Sequence, residues 1–401
     1  MANLLELEKA MPVAPLKLVA MKGAENLGNR INNYLVDFRK TINNAYKADP
    51  ALQGYVEDNY LFEVSCPRFG SGEGKAEIKE SARGKDLFIL CDVTNYSITY
   101  SVNGYENHMS PDDHYQDLKR IIAAANGKAH RINVIMPFLY EGRQHKRSGR
   151  ESLDCAYMLE ELAGMGVSNF ITFDAHDPRV MNATPLSGFD SFSANYQFAR
   201  ALLHSESDMI IDKEHTVVIS PDEGALNRAI YMASVLGVDT GMFYKRRDYT
   251  QIVNGKNPIV AHEFLGDNVE DKDVIIIDEM ISSGESMIDT ARQLKERHAK
   301  RVYICCTFGL FTNGLETFDK AYEKMYFDKI ITTNLNYRIP ELMKRPYYTE
   351  ADMSKFTASI IDFMNHDISL MGAMTSADKI QSILKLYNER KNPEIEKGIP
   401  L

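Results

Sequence analysis

The stretch VIIIDEMISSGESM, residues 274–287, sets four apolar residues ahead of two adjacent carboxylates, Asp278 and Glu279. A small-residue turn follows, running through Ser282, Ser283, Gly284, Glu285 and Ser286. Unpaired amide N–H groups and small hydroxyls at a helix start bind a phosphate dianion. Carboxylates just upstream can accept hydrogen bonds from the vicinal hydroxyls of a ribose. The same text also reads as a serine turn capping a helix after a buried strand, with its acids solvated. In ITFDAHD, residues 171–177, Asp174 and His176 stand two apart at a strand end. That spacing faces them the same way, so they can share a divalent ion and its waters. Arg143 and Gln144 open the basic run GRQHKRSGR, which is either an anion site or a solvated loop. The run GSGEGKA at 70–76 is not a P-loop: the spacing to Lys75 is short, and Ala76 stands where Ser or Thr is needed.

Such groups need rigid elements to hold them. Eight short apolar runs read as buried strands: LKLVAM, DLFILCDV, INVIMPF, FITFDA, TVVISP, DVIIIDEM, RVYICCTF and KIITTNL. Between them, residues 154–166, 225–237 and 286–299 carry helical apolar spacing. Strand–helix alternation predicts doubly wound parallel-sheet α/β domains with ligands at the carboxyl ends of the strands. Arg143, Gln144, Asp174, His176, Asp222 and residues 278–286 all follow such runs. Two domains are expected at 1–186 and 187–345, with a helical C-terminal extension over 346–401 that includes the charged tail 373–401. Residues 95–117, polar and aromatic without a clear period, read as a long loop or insertion.

The bulk properties narrow the classes. A formal net charge of −10 over 401 residues argues against a broad nucleic-acid surface. The amino terminus does not read as a secretory signal, and no apolar run reaches membrane-spanning length. Five scattered cysteines without a C-x-x-C suggest neither a disulfide framework nor a zinc knuckle, so a reducing, cytoplasmic setting is expected.

Residues 274–287 resemble the phosphoribosyl-diphosphate signature of the type I phosphoribosyltransferase fold, with Glu279 where Asp is usual. Residues 69–84, FGSGEGKAEIKESARG, resemble the ATP segment of ribose-phosphate diphosphokinases, matching at Phe69, Gly72, Glu73, Glu80, Ser81, Arg83 and Gly84, with Ser71 in place of Asn or Asp. The resemblance extends to Arg143–Gln144, to Asp174-x-His176, to the turn carrying Asp222 and Gly224, and to the basic Lys245 and Arg247 of GMFYKRRD. TFGLFTNG matches a further segment, with Phe308 in place of His. It covers about residues 16–370, leaving out 95–117 and the tail.

The resemblance implies ATP contacts at Phe69, Ser71, Glu73, Arg143 and Gln144, with the ATP site shared between subunits of a homo-oligomer. It implies Mg²⁺ placed by His176, Asp222 and Asp174, ribose 5-phosphate held by residues 278–286, and Lys245 and Arg247 stabilising the transferring group. Charge building on phosphoryl oxygens requires such cations. The implied reaction converts ATP and ribose 5-phosphate to phosphoribosyl diphosphate and AMP. A larger ribose 5-phosphate derivative as acceptor, suggested by the divergent stretch 248–266, and a non-catalytic regulatory relative are the alternatives. A phosphoribosyltransferase that consumes phosphoribosyl diphosphate is disfavoured by the ATP segment.

Overall fold

The structure, a computed structural model, describes residues 10–45, 55–247 and 259–389. The first half contributes β1 (Leu16–Ala20), β2 (Val64–Ser65), β3 (Glu77–Ile78), β4 (Asp86–Leu90), β5 (Thr99–Val102), β6 (Tyr105–His108), β7 (Arg131–Ile135), β8 (Asn169–Phe173) and β9 (Gly188–Phe192). Its helices are α1 (Glu25–Ala45), α2 (Pro111–Ala125) and α3 (Asp154–Gly164). A parallel sheet runs in the order β1-β4-β7-β8-β9. Strands β1, β4, β7 and β8 are mainly apolar and buried on both faces because helices cover both. Leu27, Ile31 and Leu35 of α1, spaced along one stripe, meet Leu18, Phe88 and Leu90. On the other face, Leu118 and Ile122 of α2 and Met158 and Leu162 of α3 meet Leu87, Ile89 and Val134.

The second half contributes β10 (Thr216–Ser220), β11 (Asp239–Arg247), β12 (Ile259–Leu265), β13 (Asp273–Ile281), β14 (Arg301–Gly309), β15 (Lys329–Thr333) and β16 (Tyr348–Ala351). Around it lie α4 (Asn195–Ser205), α5 (Leu226–Leu236), α6 (Glu285–Glu296), α7 (Glu316–Glu323), α8 (Ser354–Asn365), α9 (Met371–Met374) and α10 (Ala377–Asn388). The sheet order is β12-β11-β10-β13-β14-β15-β16, parallel except for the β11–β12 pair. From β10 the chain builds outward to β11, then returns to place β13 on the other side of β10. That reversal opens a crevice at the carboxyl ends of β10 and β13, where α/β sheets take their ligands.

All eight apolar runs form strands, and the three helical stretches form α3, α5 and α6. The boundary expected at 186/187 precedes β9, which pairs with β8, so the first sheet closes at Phe192. Beyond 345 the chain supplies helices, but also β16, which pairs with β15 inside the second sheet. Residues 95–117 are more ordered than a loop. Asn103 and Gly104, with φ of 49° and 83°, turn β5 into β6, as a two-residue hairpin requires. Ser110 then caps α2 in a reciprocal box with Asp113, and Pro111 opens the helix. Residues 390–401 of the tail and 248–258 of the divergent stretch lie outside the described residues.

Candidate active site

Beyond β8 the chain passes through Asp174 in the left-handed region, at φ 38°. Its half-buried carboxylate crosses to the second half: Oδ2 accepts from Thr307 Oγ1 at 2.5 Å and from the Ala194 amide at 3.4 Å, and Arg228 Nε stands 3.8 Å from Oδ1. Burial raises its pKa against the opposing pull of Arg228 and Thr307. Asp174 therefore joins the halves, and these contacts differ from the metal-facing placement expected of it.

His176 faces the same crevice, and its Nδ1 lies 2.7 Å from Glu279 Oε1. Alternation along β13 explains the meeting: Ile275 and Ile277 pack into the core shared with the first sheet, and Glu279 continues their line. Arg228 on α5 completes the group, with Nη1 3.1 Å from Glu279 Oε2 and Nη2 donating to the Ala175 carbonyl at 3.0 Å. Burial opposes ionisation of Glu279, yet His176, Asp278 and Arg228 hold its pKa down to about 2. Asp278 is pushed well upward, first by burial, then by its hydrogen bond to Glu279 and the charges of Glu279 and Asp222. Glu279 thus keeps the negative charge of the pair. Arg228 escaped the sequence reading. The available signal was its position six residues after Asp222, in the first turn of the helix that the Asp222 turn opens.

Asp222 sits across the crevice in the turn after β10, where Oδ1 accepts the amides of Gly224 at 2.9 Å and Ala225 at 3.3 Å. Beyond β13, Gly284 takes φ 87°, and a Cβ there would stand 2.0 Å from Phe318 Cζ. Only glycine fits this turn, which delivers Glu285 and Ser286 into the first turn of α6. Ser282, Ser283, Gly284, Glu285 and Ser286 therefore line a helix start, as expected. Lys245 and Arg247 close β11, with a register shift between Arg246 and Arg247; their side chains lie outside the described part.

Arg143 shares a small cleft with Asp174, His176 and Phe308. Gln144 Nε2 donates to the Ser152 carbonyl at 2.7 Å, pinning its own loop. His145, next in sequence, sets its ring edge-on to His176 at 5.2 Å, and its Nε2 lies 3.3 Å from Asp177. The substituted Phe308 is buried edge-on against Phe138.

The Phe69–Glu73 turn stands apart from this group. Phe69 is 53% exposed, and Ser71 Oγ donates to Glu73 at 2.8 Å. Asn103 of the hairpin donates its amide to the Gly70 carbonyl at 3.2 Å. A cavity of about 750 Å³ on that side is lined by Lys22, Asn59, Glu80 and Asp117. The hydrogen bonds of Phe69, Ser71 and Glu73 stay within their own turn, away from the His176–Glu279 cluster.

Among the described residues no three His, Cys, Asp or Glu side chains gather around one point as a metal cage would. Mg²⁺ suits such a place nonetheless, because it commonly keeps waters and substrate phosphates and takes only one or two protein ligands. Asp222, whose Oδ1 takes the turn amides, has a second carboxylate oxygen of the kind this ion prefers, and His176 keeps Nε2 beside the nitrogen turned to Glu279, so these two residues could hold it together with phosphate oxygens and waters.

The second sheet reverses order between β10 and β13 and opens a helix from a small-residue turn there, as doubly wound α/β folds do, and the profile match places it in the phosphoribosyltransferase class. The profile described as the N-terminal domain of ribose phosphate pyrophosphokinase matches residues 16–166, and that of the phosphoribosyl transferase domain matches 193–340. The chain belongs to the ribose-phosphate pyrophosphokinase family. It is 28% identical over 335 residues to the ribose-phosphate pyrophosphokinase of Vibrio cholerae, covering 81% of this chain and 96% of that one. The Staphylococcus epidermidis enzyme of the same name is 28% identical over 295 residues, covering 72% and 83%. The crystal structure of phosphoribosylpyrophosphate synthetase from Mycobacterium smegmatis shares the fold, with TM-score 0.67 and 21% identity, over 88% of this chain and 99% of that one. Among the described residues no helix is long and apolar enough to cross a membrane.

Proposed function

We propose that this protein is a ribose-phosphate diphosphokinase, transferring the β,γ-diphosphate of ATP to the anomeric hydroxyl of ribose 5-phosphate. The observation that carries the reading is the join between two halves. A phosphate-type turn at the sheet reversal faces a first half that matches the amino-terminal domain of diphosphate-transferring enzymes, a half that a simple phosphoribosyltransferase does not need.

Ribose 5-phosphate lies with its phosphate on the amides and hydroxyls of residues 282–286 and its hydroxyls toward Asp278. ATP is held by Arg143 and Gln144, and by Phe69, Ser71 and Glu73 reaching over from a neighbouring subunit of a homo-oligomer. The anomeric oxygen attacks the β-phosphorus, the bond from that phosphorus to the α-phosphate oxygen breaks, and AMP leaves. The anomeric proton passes to solvent. Lys245 and Arg247 meet the charge that develops on the transferring group. His176 and Asp222 would hold Mg²⁺ beside the ATP phosphates, where the ion would supply further charge neutralisation. Positioning and neutralisation dominate such transfers, so a strong side-chain base is not required. The five cysteines are all free, which supports a cytoplasmic setting. We place the division between the two halves near residue 192.

A test offers the purified protein Mg·ATP with ribose 5-phosphate and with larger ribose 5-phosphate derivatives in competition. The reading expects AMP and phosphoribosyl diphosphate, with ribose 5-phosphate the preferred acceptor. A larger acceptor consumed in preference would move the specificity. Binding of ribose 5-phosphate without AMP formation would mark a regulatory relative.

A further inference from the structure

The second acid of the DE pair stands in a place its sequence position does not suggest. Glu279 is 7% exposed. Its Oε1 is 2.7 Å from His176 Nδ1 and its Oε2 3.1 Å from Arg228 Nη1, so both oxygens are engaged within the protein. Arg228 is anchored in turn, through Nη2, on the carbonyl of Ala175, the residue before His176. A carboxylate oxygen accepts, so Nδ1 is the ring nitrogen that carries hydrogen toward Glu279, and in the uncharged tautomer with that hydrogen the lone pair lies on Nε2. A carboxylate behind a ligating histidine fixes tautomer and ring orientation in just this manner. Aspartate is one methylene shorter and would not span from β13 to His176 and Arg228 together.

We infer that Glu279 is a positioning residue for His176. It holds the imidazole through Nδ1 and presents Nε2 to the metal–phosphate side of the crevice, which leaves recognition of the ribose hydroxyls to Asp278. The inference rests on the reading of this crevice as a metal- and ribose-phosphate-binding site. It concerns how the chain's own residues are arranged toward the ion, and it does not depend on turnover.

Three measurements on the full-length protein test it, comparing wild type with Glu279→Gln, Glu279→Ala and Glu279→Asp. Nitrogen-15 correlation spectra at a pH where imidazole is neutral should show His176 with hydrogen on Nδ1 in wild type, and a mixed tautomer in the Ala and Asp variants. Mn²⁺ binding followed by paramagnetic resonance should weaken about 10-fold in Glu279→Ala. Calorimetric binding of ribose 5-phosphate should change less than about 3-fold over the same series, on the scale of a residue that does not touch the sugar. Glu279→Gln, which keeps size and an acceptor, guards against misfolding and should stay nearer wild type in tautomer than Ala. A 10-fold or greater loss of ribose 5-phosphate affinity with Mn²⁺ binding and tautomer unchanged would overturn the assignment. Because none of these readouts needs catalysis, a protein that makes no AMP would contradict the proposed reaction while leaving this inference open to its own test.

Discussion

Arg39 and Asp362 meet wholly inside the protein, with the guanidinium donating to one carboxylate oxygen through Nε at 3.0 Å and Nη2 at 2.8 Å. Arg39 belongs to α1 of the first sheet, whereas Asp362 belongs to α8, far along the chain. Asn365 takes a further hydrogen bond from the same guanidinium at 2.6 Å. Removing one member leaves a buried charge unpaired. Asp362→Ala should therefore cost roughly 3–5 kcal/mol in urea unfolding, while the paired replacement Arg39→Met with Asp362→Leu recovers much of the loss. Equal losses in the single and paired variants would contradict this account of how α8 is tied to α1.

Gly284 predicts a coupled loss of fold and ligand. Alanine there meets both a positive φ and the Phe318 ring, so Gly284→Ala should destabilise by about 1–3 kcal/mol. It should also weaken ribose 5-phosphate binding, since the α6 start must shift. Thermal unfolding and calorimetry on the one variant read the two effects.

Lys245→Ala and Arg247→Ala should each lower kcat by about 10²- to 10³-fold, the scale found when one transition-state donor is removed. The Kd of ATP should move far less. Steady-state rates set beside equilibrium nucleotide binding separate the two, and a loss confined to binding would remove these residues from the transfer step.

Acid should loosen the α8 region through His366. Burial lowers the pKa of this histidine below its ordinary 6.5, with Arg39 adding to the shift and Asp362 opposing it. Its ring nitrogens face Tyr55 Oη at 3.1 Å and the Asp362 carbonyl at 2.6 Å. The unfolded chain protonates this histidine first as pH falls, so the stabilisation is full above the unfolded pKa and declines below it. Between pH 7.5 and 5.5 the wild type should lose more stability than His366→Gln. Parallel urea curves at the two pH values provide the comparison.

Eight of the twelve strands in the two sheets were legible because each lies in a mainly apolar run buried on both faces. GFDSF of β9 and YTEA of β16 are sheet-edge strands of mixed polarity, and they carried no such signal. The hairpin within 95–117 did carry one: Asn103-Gly104 is the dipeptide that a two-residue turn demands. Its polar flanks masked it. The phosphate turn was legible as strand, acids, small residues and helix. What the acids touch was not, since His176 and Glu279 are separated by 103 positions and meet only when the sheets pack. Arg228 escaped for the same reason: a single arginine on a helix takes its meaning from the carbonyl and carboxylate brought opposite it.

The most direct measurement of the central claim uses ATP labelled at its β-phosphorus, with Mg²⁺, ribose 5-phosphate and purified full-length protein. The account predicts one AMP for each phosphoribosyl diphosphate, with the label wholly in the diphosphate on the anomeric oxygen. Release of ADP with the label retained in the nucleotide, or no transfer of label at any concentration of phosphate and metal, would contradict it.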